Sequence, residues 1–140
     1  MINLSVIVPF FNEEQFLDES VNRLLSNDIY TSICLIDNNS TDNSYEIAKN
    51  LASNNEKIEL FKTGKNKGKG SVLAYSKNLI TTSHVVIHDA DLEYFPEDII
   101  EMFELAKQNQ RSLILGSRFI GSKKRENIYL RTFLANRVMS

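Results

Sequence analysis

The chain has 140 residues, 42% of them hydrophobic, enough for one core of useful size and short for two domains. Sixteen basic residues face 18 acidic ones, for a net charge of −2, so the surface as a whole is not built for nucleic acid or an anionic membrane. A single cysteine, Cys34, excludes an internal disulfide, and the absence of an export signal or of about 18 consecutive apolar residues gives the expectation of a cytoplasmic chain without a membrane span.

Short apolar runs alternate with segments of helical period, which predicts an α/β fold: a mostly parallel sheet with helices on both faces. The first strand is expected over Leu4 to Val8, stopped by Pro9, and a helix from about Glu13 to Leu25 follows. Ile33 to Ile36 reads as the second strand. Ser40 or Thr41 is the candidate cap of a helix carrying Ile47, Ala48, Leu51 and Ala52, which ends near Asn54-Asn55. Ile58 to Phe61 is a third strand leading into a Gly/Lys-rich turn, and Val72, Leu73, Tyr75 and Leu79 mark a helix. His84 to His88 reads as the fourth strand, Pro96 opens a helix through Ala106, and Leu113-Ile114-Leu115 is the expected fifth strand. Residues 121 to 127 are polar and basic, and Tyr129 to Met139 has a helical pattern.

Each of four strands runs out into a polar loop: Asn12-Glu13-Glu14, Asp37-Asn38-Asn39, Asp89-Ala90-Asp91 and Ser117-Arg118. Ligands of open parallel sheets bind outside the carboxyl ends of the strands, so these loops are expected to converge on one crevice. The acidic segment His88-Asp89-Ala90-Asp91-Leu92-Glu93-Tyr94 follows a buried apolar run. In extended chain alternate residues stand roughly 7 Å apart on one side, which lets Asp91, with Asp89 or Glu93, reach a common ion. Oxygen ligands suit Mg²⁺ or Mn²⁺ held together with substrate phosphates, and the chemistry such a site fits is departure of a nucleoside diphosphate. The competing reading is a solvated acidic loop ahead of the Pro96 helix.

The other loops carry the same ambiguity. Asp37 is placed to accept from a base or ribose, whereas Ser40 to Asp42 are fully explained by a turn and a helix cap. Lys65-Asn66-Lys67-Gly68-Lys69-Gly70-Ser71 offers N–H groups and positive charge to phosphates, but its spacing is not that of a P-loop, and a solvated helix start is the plainer account. Arg118 can make bidentate contacts with phosphate, and Phe10 and Phe11 read as core or as a wall beside a base. His88 is either a positioning neighbour of the acidic pair or a strand histidine, and His84 is structural.

Taken together, Val6 to Glu14, Ile36 to Asp42, Asn66-Lys67-Gly68-Lys69-Gly70, His88 to Tyr94 and Gly116-Ser117-Arg118-Phe119 resemble, in order and spacing, the family 2 glycosyltransferases. The last three segments are particularly similar to the polyprenyl- or dolichol-phosphate mannose and glucose synthases. The resemblance covers nearly the whole chain. It implies a Rossmann-like glycosyltransferase A fold, with residues 1–140 as the nucleotide-sugar-binding part. It also implies a GDP-mannose- or UDP-glucose-type donor, Mg²⁺ or Mn²⁺, and inverting transfer to an acceptor such as a polyprenyl phosphate, which would bring the chain to the inner face of the membrane. Matched positions imply Pro9, Phe11, Glu13, Asp37 and Lys69 around the nucleotide, Asp89, Asp91 and Glu93 around the metal and diphosphate, and Arg118 facing a phosphate. Asp37-Asn38-Asn39-Ser40 departs from the commoner Asp-Asp-Gly-Ser, and Gln stands in place of Glu93 in some relatives. Family catalytic domains continue well beyond this length, so the expectation is that the acceptor part lies outside the chain. The alternatives are a non-catalytic fragment that binds a nucleotide sugar or a partner, and a receiver-like domain with Asp89 or Asp37 as phosphoacceptor.

Overall fold

The computed structural model describes residues 2–66, 68–109 and 113–116. Four parallel strands, β1 (Leu4–Phe10), β2 (Ser32–Asp37), β3 (Ile58–Lys62) and β4 (His84–Ile87), form one sheet in the order β3-β2-β1-β4. Among the described residues four helices accompany them: α1 (Leu17–Leu25), α2 (Ser44–Asn54), α3 (Lys69–Ser76) and α4 (Pro96–Gln108). The α/β expectation therefore holds. The order excludes the receiver-like alternative, whose second strand lies at the sheet edge, whereas here β2 is flanked by both β1 and β3.

Alternation along β1 divides the core. Leu4, Val6, Val8 and Phe10 face the larger cluster, where Leu17, Val21 and Leu24 of α1, Ala48 of α2, and Ile99 and Phe103 of α4 pack. Ile7 faces the other way, toward Ile36 and Val72, with Leu73, Leu79 and Ile80 against them. Helices thus cover both faces. On the α3 side Val85 and Ile87 of β4 remain half-exposed.

Several expected boundaries shift for identifiable reasons. Pro9 does not stop β1, which continues to Phe10, with Pro9 opposite Ile36. Ile7 gives its carbonyl to His88 N on the β4 side, and Phe10 gives its own to Asn38 N on the β2 side. By the same alternation Pro9's missing N–H points toward β4, where pairing ends at Ile7–Ile87, so the β1–β2 ladder keeps all its bonds. Helix α1 starts at Leu17 rather than Glu13: residues 14–16 form a turn in which Glu13 O accepts from Phe16 N (3.1 Å) and Leu17 N (2.9 Å), while the Glu13 and Glu14 N–H groups donate to Ser44 Oγ (2.8 Å) and Asp42 Oδ2 (3.2 Å). Helix α3 ends at Ser76, and Leu79 still packs on the core from a turn in which its N–H donates to Ser76 O at 2.9 Å.

The fifth strand is a correction. Leu113 to Gly116 form no ladder among the described residues, and Leu113 and Leu115 are 82% and 80% exposed. A three-residue apolar run has the composition of a strand, but composition supplies no hydrogen-bond partner. The expected basic stretch over 121–127, the helix over 129–139 and Ser117-Arg118-Phe119 lie outside the described residues. No helix among the described residues is long and apolar enough to cross a membrane.

Candidate active site

At β1 the chain turns toward β2 on one side while β4 pairs on the other, so the carboxyl ends of β1 and β4 open a crevice at the point where strand order reverses. A cleft of about 330 Å³ lies there, lined by Pro9 near the end of β1, Phe11 and Glu13 after it, Asn38 after β2, Asn66, Gly68 and Lys69 at the start of α3, and Asp89 and Asp91 after β4. Six of the residues expected at a site, Pro9, Phe11, Glu13, Lys69, Asp89 and Asp91, are therefore brought together. Asp37 and Glu93 are not among its lining residues, and Arg118 lies outside the described residues.

Two loops form the β1–β2 side, and they are cross-linked. Asn12 adopts a left-handed φ of 57°, which Asn tolerates better than most side chains. In that conformation its N–H donates to Ser40 Oγ (3.0 Å) while its Oδ1 accepts from Thr41 N (2.8 Å). Ser40 and Thr41, expected as helix caps, serve as this staple instead. Asn43, at the N-cap position of α2, makes no side-chain cap bond; the residue before it, Asp42, ties the helix start down, its Oδ1 accepting from Ser44 N (3.0 Å) and Ser44 Oγ (2.6 Å) and its Oδ2 from Glu14 N. Burial works to raise the Asp42 pKa, but the hydrogen bonds from Ser44 and Glu14 outweigh it and hold the carboxyl below its ordinary value. Asp42→Ala leaves the α2 start and the β1 loop without their shared acceptor, and a loss of about 1 kcal/mol is expected in urea unfolding. An unchanged midpoint would mean that water replaces all three bonds at no cost.

Asp37 is fully buried at the end of β2. Its Oδ1 accepts from Ser40 N at 2.8 Å, and Lys62 Nζ approaches Oδ2 at 3.4 Å in an ion pair without hydrogen-bond geometry. Its neighbour Asn38, which sequence reading left without a role, joins two loops: Nδ2 donates to Asn66 Oδ1 (2.9 Å), and Oδ1 accepts from Thr63 Oγ1 (3.2 Å). Asn66 Oδ1 in turn accepts from Gly68 N (3.0 Å), where Gly68 has a φ of 82°. This relay fixes the segment that delivers Lys69. The signal available in the sequence was the Asn38 departure itself, together with the asparagine inside the Gly/Lys-rich turn.

Opposite this relay, Asp91 Oδ1 accepts from Glu93 N at 3.0 Å, in a turn that places Leu92 at a φ of 62°. Positive φ is costly for a leucine, and strain of this kind gathers at functional sites. Asp89 is held by the Lys69 ammonium through both carboxylate oxygens. Among the described residues no three Asp, Glu, His or Cys side chains gather closely enough to hold an ion by themselves, so Asp89, Asp91 and Glu93 do not form a three-carboxylate cage. Two carboxylates in a crevice nevertheless fit Mg²⁺ or Mn²⁺, which take one or two protein oxygens and complete their shell with phosphate and water. The local charge fits too. Burial first, and then the charges of Asp91, Asp42 and Asp89, push the Glu13 pKa up, which is the signature of a negative pocket that a cation would relieve.

His88, buried behind the acidic pair and tilted against the Tyr94 ring, has its pKa lowered to about 4, chiefly by burial, with Asp89 and Asp91 opposing. It is neutral near pH 7. The unfolded chain therefore binds this proton first as pH falls, and stability drops between about 6.5 and about 4, by at most about 3 kcal/mol for this group in the metal-free chain. Glu13, with its raised pKa, contributes in the opposite sense. Comparing the chain with His88→Gln isolates the histidine: the variant should lose less stability over that window, and equal slopes would show that His88 is protonated without penalty.

A sequence model of Glycosyl transferase family 2 matches residues 5–138. A dolichol-phosphate mannosyltransferase of Pyrococcus furiosus is 30% identical over 128 residues, 90% of this chain and 36% of that protein. Protein RfbJ of Shigella flexneri is 28% identical over 83% of this chain and 85% of its own length. Among solved structures, the mannosyltransferase PcManGT of Pyrobaculum calidifontis in complex with GDP-Man and Mn²⁺ superposes with a TM-score of 0.60 at 26% identity, covering 64% of this chain and 27% of that one. Glucosyl-3-phosphoglycerate synthase of Mycobacterium tuberculosis shares the fold, with a TM-score of 0.65 at 21% identity over 78% of this chain and 41% of that one. The chain thus spans about a third of the Pyrococcus relative and most of RfbJ.

Proposed function

This chain belongs to glycosyl transferase family 2, and we propose that it is the nucleotide-sugar-binding part of a metal-dependent glycosyltransferase. One observation carries the reading: Asp89, paired with Lys69, and Asp91 line one crevice at the carboxyl ends of β1 and β4. The PcManGT structure, with GDP-Man and Mn²⁺ bound, supports a donor of the GDP-mannose type, with UDP-glucose-type donors as the other class to be tested. The names of the dolichol-phosphate relatives support a polyprenyl phosphate as acceptor, which would bring the chain to a membrane surface.

In this reading Pro9, Phe11 and Glu13 form the wall on the β1 side, and Asp91 and Asp89 are the residues that would hold Mg²⁺ or Mn²⁺. A bound divalent ion supplies neutralisation of the charge that develops on the departing nucleoside diphosphate. Lys69, on the opposite wall, contributes a further positive charge to the same group. The anomeric carbon is attacked from the side away from the diphosphate, with inversion, and an acceptor phosphate is already ionised near pH 7, so no base from this chain is needed. Arg118 is the candidate contact to donor or acceptor phosphate.

The 36% coverage of the Pyrococcus relative favours one other reading, a fragment that binds the nucleotide sugar and transfers nothing. Calorimetric titration of the 140-residue chain with GDP and UDP, each with and without Mn²⁺, separates the cases when paired with a transfer assay. Metal-dependent binding supports the donor site. Binding without product selects the fragment reading, and no binding of either nucleotide with Mn²⁺ overturns both.

A further inference from the structure

Lys69 is the one cationic side chain among the described residues lining the crevice, and its ammonium engages both oxygens of Asp89, one of the two carboxylates available to a divalent ion. We propose that Lys69 is an occupancy switch: it holds Asp89 while the crevice is empty and releases it when a nucleoside diphosphate arrives, so that metal and nucleotide bind interdependently. This rests on reading the crevice as a diphosphate and metal site.

The physical argument begins with charge. Asp89, Asp91 and Glu13 line one cleft, and like charges gathered there repel one another. An empty cleft of this kind would attract any divalent cation, whether or not a donor was present. The Lys69 ammonium offsets that charge from within the fold, and a metal approaching alone must displace it from Asp89 or lie beside it against cation–cation repulsion. A diphosphate changes the balance, since it brings its own negative charge to the same wall and gives the ammonium a second anionic partner.

The geometry allows the exchange. Lys69 is the first residue of α3, and its side chain is about half exposed, so the ammonium is not locked in place by packing. Its backbone is fixed, because Asn38 holds Asn66 and Asn66 holds Gly68 N. A flexible arm on an anchored base can move between Asp89 and a phosphate without any rearrangement of the sheet.

The test compares the chain with Lys69→Met, which keeps length and loses charge, and Lys69→Arg, which keeps charge. Mn²⁺ binding without nucleotide is followed by the spin resonance signal of free Mn²⁺, and GDP and UDP binding at saturating Mn²⁺ by calorimetry. Lys69→Met should bind Mn²⁺ alone about tenfold more tightly and the nucleotide about tenfold more weakly, with Lys69→Arg close to the parent. No gain in Mn²⁺ affinity, including undetectable binding by parent and variant alike, overturns the switch. So does a gain with nucleotide affinity unchanged. If the parent binds neither nucleotide with Mn²⁺, the donor-site reading falls and the coupling falls with it. A Mn²⁺ gain in Lys69→Met would then show competition for Asp89 alone.

Discussion

Asp91→Asn is expected to abolish the metal-dependent part of nucleoside diphosphate binding and to lower sugar transfer on the order of 10³-fold, several kcal/mol of transition-state stabilisation. The substitution is informative because of where the existing hydrogen bond falls. Asp91 Oδ1 accepts from Glu93 N, and an asparagine oxygen can accept the same bond, so the turn carrying Leu92 at positive φ keeps its support. What is lost is the charge. Asp89 is a less direct probe, because its removal also frees the Lys69 ammonium that it binds through both oxygens. Calorimetry with GDP and UDP at fixed Mn²⁺ reads the first effect, and transfer to a lipid phosphate reads the second. Full Mn²⁺-dependent binding in Asp91→Asn would remove this residue from the metal site and leave Asp89 to act without it.

The acidic segment was legible because its meaning depends on local pattern: an apolar strand running out into alternating carboxylates places them at a strand's carboxyl end, and that is where Asp89 and Asp91 lie. The parallel sheet was legible for the same reason, since Val6 to Val8, Ile33 to Ile36 and Val85 to Ile87 are short apolar runs separated by helical periods. Pairings across long sequence separations were not. The Asn12 staple depends on a left-handed backbone at one residue and partners in the Ser40-Thr41 turn, and nothing local distinguishes that from two helix caps. The Lys69–Asp89 ion pair joins residues 20 apart, and only the sheet order, which sets β4 beside β1, brings Asp89 within reach of Lys69. Leu113 to Leu115 failed in the opposite direction: the local pattern was that of a strand, but a strand is defined by its neighbour. Asp37 shows a third limit, because its position at a strand end suggested exposure to a ligand, whereas the Ser40 turn folds over it and buries it.

Leu35→Ala is expected to destabilise the chain by about 3 kcal/mol and to lower its melting temperature by roughly 10 °C. Leu35 is fully buried in β2, between Val8 of β1 and Leu60 of β3, and faces the larger core cluster. Truncation there leaves a cavity with a strand on either side, and paired strands collapse into a void less readily than a surface helix does. The loss is a large share of the 5–15 kcal/mol that holds a domain of this size together. Its effect on binding should nevertheless be small well below the melting transition. Asn38, Asn66 and Lys69 are positioned by hydrogen bonds beyond the carboxyl end of β2, and the affinity of the folded fraction is set by those groups. A destabilisation below about 1 kcal/mol would contradict the placement of β2 at the centre of the sheet. A fall in GDP or UDP affinity at low temperature, with the chain still folded by circular dichroism, would show instead that the relay from Asn38 to Lys69 takes its geometry from core packing rather than from its own hydrogen bonds.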